Sequence, residues 1–106
     1  MPSVAPTKLE IAPAKLGQLY VQWLPIPIEK FNGRALGYRV KYRVSKEPAY
    51  RVVTVPNGLS ELTIPNIKHF TLYDFEVEAY SGAGSGLPIA LMIKTPEGGI
   101  IFNILL

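Results

Sequence analysis

The sequence predicts an all-β fold, a seven-stranded two-sheet sandwich. Three observations carry this. Ten prolines and nine glycines fall between short apolar runs rather than inside them. Several of those runs alternate apolar and polar residues with a period of two, as a half-buried strand requires. No segment sustains a helical period, and seven runs with a turn roughly every ten residues suit a sandwich. The chain has 106 residues and is 48% hydrophobic, enough for one domain with one core.

The first run is Lys8 to Ala12, with Leu9 and Ile11 between polar neighbours. The second, Gln18 to Leu24, places Leu19, Val21 and Trp23 on one face. Pro25-Ile26-Pro27 ends it, because proline cannot donate to a ladder. Asn32-Gly33 is a turn signal. The third run, Leu36 to Val44, alternates most cleanly. Tyr38, Val40 and Tyr42 point one way and Arg39, Lys41 and Arg43 the other. The fourth runs from Tyr50 to Val55 and is stopped by Pro56-Asn57-Gly58. A short fifth, Glu61 to Ile64, carries Leu62 and Ile64. The sixth, Tyr73 to Tyr80, turns Tyr73, Phe75, Val77 and Ala79 inward and Asp74, Glu76 and Glu78 outward. Ser81 to Gly86 reads as a flexible, turn-rich loop, and the seventh run is Leu87 to Thr95.

These residues, taken in order from about Pro6 to Pro96, resemble a fibronectin type III domain. A proline precedes the first strand at Pro6. Trp23 is followed by Pro25, and Gly37-Tyr38-Arg39-Val40-Lys41-Tyr42 is similar to the family's third strand. Ile67 stands upstream of Tyr73-Asp74-Phe75-Glu76-Val77-Glu78-Ala79, and Gly82-Ala83-Gly84-Ser85-Gly86-Leu87-Pro88 resembles the family's glycine-proline loop. The resemblance implies an immunoglobulin-like sandwich built on Trp23, Tyr38, Val40, Tyr42, Tyr73, Phe75 and Val77. It also implies a tyrosine corner, in which the Tyr73 hydroxyl bonds to backbone just upstream. The sequence departs from the family at one place. His69-Phe70 stand where the family has Pro-Gly. The turn there is expected to be less tight, with Phe70 either packed locally or exposed.

Candidate chemistry is sparse. His69 is the lone histidine and there is no cysteine, so thiol catalysis and thiolate metal sites are excluded. The glycine loop lacks the Lys-Ser/Thr of a phosphate loop, and the acids lack calcium-loop spacing. No catalytic residue, metal or cofactor is expected, and the chain reads as a non-enzyme. The net charge of +3 is too small for a nucleic-acid stripe, and no apolar run is long enough to span a bilayer. Arg39, Lys41 and Arg43 form a basic stripe that would suit a heparin-like polysaccharide or an acidic protein surface. The resemblance puts the third strand beside the sixth, however, so the stripe is expected to pair with Asp74, Glu76 and Glu78. The resemblance also points to the loop Ser81–Pro88, with Ser81, Gly82 and Ser85, as a binding surface for a protein partner, and Tyr80, facing out next to that loop, is a candidate interface anchor.

The expected organisation is a linker over 1–5, the domain over 6–96, and a linker with an apolar tail over 97–106. The tail, Ile100 to Leu106, is either a cloning remnant or the start of the next segment of a parent chain, with weak self-association as the alternative. The expected role is one extracellular repeat of a cell-surface adhesion molecule or receptor, set between neighbouring domains. A repeat of an intracellular giant muscle protein and an accessory module of a secreted enzyme are the alternatives.

Overall fold

The computed structural model describes residues 1–96. Eight strands are present among them: β1 (Thr7–Pro13), β2 (Leu19–Leu24), β3 (Ala35–Val44), β4 (Arg51–Pro56), β5 (Glu61–Ile64), β6 (Leu72–Ser81), β7 (Gly84–Ser85) and β8 (Ile89–Lys94). One sheet has the order β1-β2-β5. In the other, β4, β3 and β6 lie side by side, and both β7 and β8 pair with the far side of β6. All pairings are antiparallel. This is the all-β, two-sheet sandwich that the run spacing predicts. The apolar tail, with its alternative of self-association, lies outside the described residues.

The core forms where the inward rows of the two sheets meet. Leu19, Val21 and Trp23 of β2 and Ile64 of β5 face Tyr38, Val40, Phe75, Val77 and Ala79 of β3 and β6. Tyr42, at the end of its row, is partly buried, and its ring stacks on Phe75 with centroids 5.6 Å apart. Tyr38 lies between the Trp23 and Phe31 rings, at 5.3 and 5.9 Å. Its hydroxyl accepts the Ile26 N–H at 3.0 Å. Burial raises the Tyr38 pKa, and that hydrogen bond opposes the shift. The Tyr73 hydroxyl accepts the Lys68 N–H at 3.0 Å, five residues upstream, which is the backbone tie the resemblance implies.

Three features depart from the sequence reading. A single 3-10 turn, Ile28–Phe31, follows Pro27 and drops Phe31 into the core. Its one buried residue gives no periodicity to detect. The stretch read as a flexible loop is a tight hairpin, with Tyr80 opposite Ser85 and Ser81 opposite Gly84. The Ala83 N–H donates to the Ser81 hydroxyl across the turn, at 3.1 Å. Thirdly, β1 carries a register shift between Thr7 and Glu10, where Lys8 takes φ +53°.

The chain enters and leaves at opposite ends. Residues 1–5, read as a linker, lie against the domain: Pro2 is buried beside Gly86, and the Ser3 N–H donates to the Lys30 carbonyl at 2.9 Å. At the other end the Thr95 N–H donates to the Thr71 carbonyl, and the Phe70 N–H to that of Pro96. The ten-residue strands β3 and β6 separate the two ends by about 30 Å.

Candidate interaction surfaces

The outer face of β3 and β6 carries the charged rows. Register places Arg39 opposite Glu78, Lys41 opposite Glu76 and Arg43 opposite Asp74. The side chains choose partners slightly differently. Lys41 reaches diagonally to Glu78 at 3.1 Å, Arg39 stands 3.7 Å from the same carboxylate, and Arg43 meets Asp74 at 3.0 Å. Glu76 instead accepts a hydrogen bond from the Tyr50 hydroxyl at 3.4 Å. Each cation of the basic stripe is therefore engaged by a carboxylate of its own sheet, with Glu78 serving two of them.

Glu78 departs from the outward reading in one respect. It points outward as the alternation requires, yet it is 6% exposed because Arg39 and Lys41 lie over it. Alternation in sequence reports direction, not cover. Glu78→Gln releases both cations, so this variant is expected to elute from a heparin column at higher salt than the parent chain. Coincident elution would mean that Arg39 and Lys41 were already available to an anion.

Arg39 also braces the hairpin after β6. Its guanidinium lies 4.1 Å above the Tyr80 ring and donates to the Ser85 hydroxyl. Among the loop residues suggested as a binding surface, Tyr80 and Ser85 are half-buried, and Gly82 is exposed. Ser81 is buried, with its hydroxyl engaged in the turn, so it is not open to a partner. Its place at the end of β6 opposite Gly84 turns the side chain inward.

The end of the domain near Pro96 carries a feature that the sequence shows only as a departure from the family pattern. Phe70 adopts φ +53°, the left-handed conformation that a glycine takes without cost. The turn thus keeps its backbone course, although His69-Phe70 replace the usual pair. For a bulky residue this conformation costs about 1–3 kcal/mol. The side chain gains little in return, being 62% exposed. Its ring meets the Lys94 ammonium, 4.2 Å from the centroid. An exposed contact of that kind is worth about 0.5–1 kcal/mol and does not offset the strain.

His69 is exposed, and its carbonyl accepts the Thr71 hydroxyl at 2.7 Å. Among the described residues no three His, Cys, Asp or Glu side chains are grouped closely enough to hold a metal ion.

The comparisons with known proteins agree with this geometry. The family model described as the fibronectin type III domain matches residues 4–95. Mouse protein sidekick-1 is 35% identical over 89 residues, covering 80% of this chain and 4% of that protein. The Drosophila melanogaster cell adhesion molecule Dscam1 is 29% identical over 91 residues, again covering 80% of this chain and 4% of its own length. The third fibronectin III domain of the human KIAA0343 protein, solved in solution, superposes with a TM-score of 0.79 at 25% identity. That match covers 93% of this chain and 86% of the other. The chain thus corresponds to a small part of its long curated relatives, and it belongs to the fibronectin type III family.

Proposed function

We propose that the chain is a non-catalytic repeat in the extracellular region of a cell-adhesion molecule or receptor, where it spaces neighbouring domains and presents a protein-binding surface. The observation that carries this reading is the pattern of coverage. The matched domain accounts for 80% of this chain but only 4% of proteins such as sidekick-1 and the cell adhesion molecule Dscam1. The domain's form suits such a series. The chain enters beside Gly86 and leaves beside Phe70, so a neighbour at each end would extend the array rather than fold back on it. With the charges of the β3 and β6 face paired among themselves, the hairpin after β6 and the two ends are the surfaces this reading assigns to partners.

An antibody raised against residues 1–96 tests the location. It is expected to label intact, non-permeabilised cells that express the parent protein. Staining that requires permeabilisation would overturn the extracellular reading in favour of an intracellular array.

A further inference from the structure

The end of the domain from which the chain leaves combines features that the fold itself does not need. Val44, Phe70 and Leu72 line an open depression of about 430 Å³ with Lys46 and Lys94 at its rim. Phe70 and Leu72 are exposed there, and Lys46 and Lys94 are exposed beside them. A second, smaller depression at this end is lined by His69 together with Lys15 and Lys68. Among the described residues, charge at this end is lopsided. Among the described residues, Asp74 is occupied by Arg43 and Ser45, and Glu47 is the remaining acid of the β3–β4 connection. None of the four lysines forms an ion pair within 4.0 Å among the described residues.

Phe70 is the telling residue. Glycine would hold the same turn without strain, and the contact with Lys94 does not compensate for the aromatic. A strained, exposed aromatic beside an apolar floor is what a binding anchor looks like before its partner arrives. The surrounding charge selects among partners. A second copy docking end to end would bring like-charged lysine clusters together. A sulfated polysaccharide would use the lysines but gain nothing from Phe70, Leu72 and Val44.

We propose that this end of the domain binds an acidic polypeptide segment that seats an apolar side chain against Phe70 and Leu72 and sets carboxylates on Lys46 and Lys94. The proposal is independent of which parent protein carries the domain, and it assigns a role to the residue by which this chain departs from its family's turn pattern.

The test uses a fluorescein-labelled acidic peptide with a central Leu-Phe pair, titrated with the 106-residue chain at physiological salt. A matched peptide with two serines in place of that pair serves as control. The parent chain is expected to bind the first peptide at least tenfold more tightly than the second. Phe70→Gly is expected to lose tenfold or more in affinity while its Tm rises. Phe70→Asn, which also accommodates the left-handed turn, should lose binding likewise without loss of fold. Lys46→Gln with Lys94→Gln should weaken binding and flatten its salt dependence.

The proposal is overturned if the parent chain fails to bind, if Phe70→Gly binds unchanged, or if both peptides bind equally. It is also overturned if a heparin oligosaccharide binds more tightly than the peptide, with dependence on the lysines but not on Phe70. A fall in Tm for Phe70→Gly would show that the aromatic serves the fold instead.

Discussion

Trp23→Ala is expected to destabilise the domain by about 3–5 kcal/mol, the range for removing a buried large aromatic. Trp23 is 4% exposed, at the end of β2, and reaches across to Tyr38 in the opposite sheet. Tyr38 in turn packs on Phe31 and holds the Ile26 N–H. Removing the indole therefore opens a cavity between the sheets and loosens the ring against which the β2–β3 connection is seated. Domains of this size have about 5–15 kcal/mol in total, so the loss is a large fraction of the whole. At about 4–8 °C per kcal/mol, Tm should fall by well over 10 °C. Circular dichroism during urea and thermal unfolding measures it, since the substitution removes the single tryptophan from the chain. Trp23→Phe provides the comparison. Phenylalanine keeps an aromatic ring between the sheets beside Tyr38 and leaves a smaller cavity, so it should cost markedly less. A loss below about 1 kcal/mol for the alanine variant would show that the sheets collapse around the gap.

The strands that could be read from the sequence are those whose two faces meet different environments. β3 and β6 each alternate over ten residues because one side packs against β2 and β5 while the other meets solvent and opposite charge. That contrast is written directly into residue type. The pairing of Arg43 with Asp74, and of Arg39 and Lys41 with Glu78, follows once strand neighbours are known. Neighbour order follows from the family resemblance, because periodicity alone does not say which strands adjoin. The buried state of Glu78 was hidden for a related reason, since cover by long cationic side chains depends on their diagonal reach.

Features set by a single residue were harder to see. Phe31 is buried through one 3-10 turn, and Ser81 through one place in a hairpin; neither leaves a repeating pattern. Lys8 bulges where a lysine in a strand gives no warning. Phe70 was visible as an anomaly because a strong family pattern surrounds it. The sequence alone does not distinguish a changed turn from a strained residue. The φ of +53° places the strain on the residue, so the most informative position at that end of the domain is also one that local propensity would have changed.

Gly37→Ala is expected to be the other severe substitution, at about 2–5 kcal/mol from backbone strain and overpacking together. Gly37 sits at φ +146°, and a Cβ there would overlap the Val55 carbonyl oxygen and come within 3.0 Å of the Asn57 nitrogen. Both obstacles are backbone, so no side chain can swing aside. The surroundings are fixed as well. Gly37 is opposite Pro56 in the β3–β4 register, and the Asn57 N–H donates to the Leu36 carbonyl at 3.1 Å. Relief requires separating the end of β4 from β3. That end holds Val55, a buried member of the core beside Tyr38, so separation also exposes apolar surface. Gly82→Ala is the control: its nearest neighbour would be the Arg34 Cβ at 3.9 Å, and the change should stay within about 0.5 kcal/mol. Urea unfolding gives the two costs, and amide exchange at Val53 and Val55 shows where the damage falls. Faster exchange confined to β4, with global stability intact, would mean that this edge strand opens independently and that the core needs only β3, β6 and the opposite sheet. Loss of both together would mean that Val55 joins the edge strand to the cooperative core.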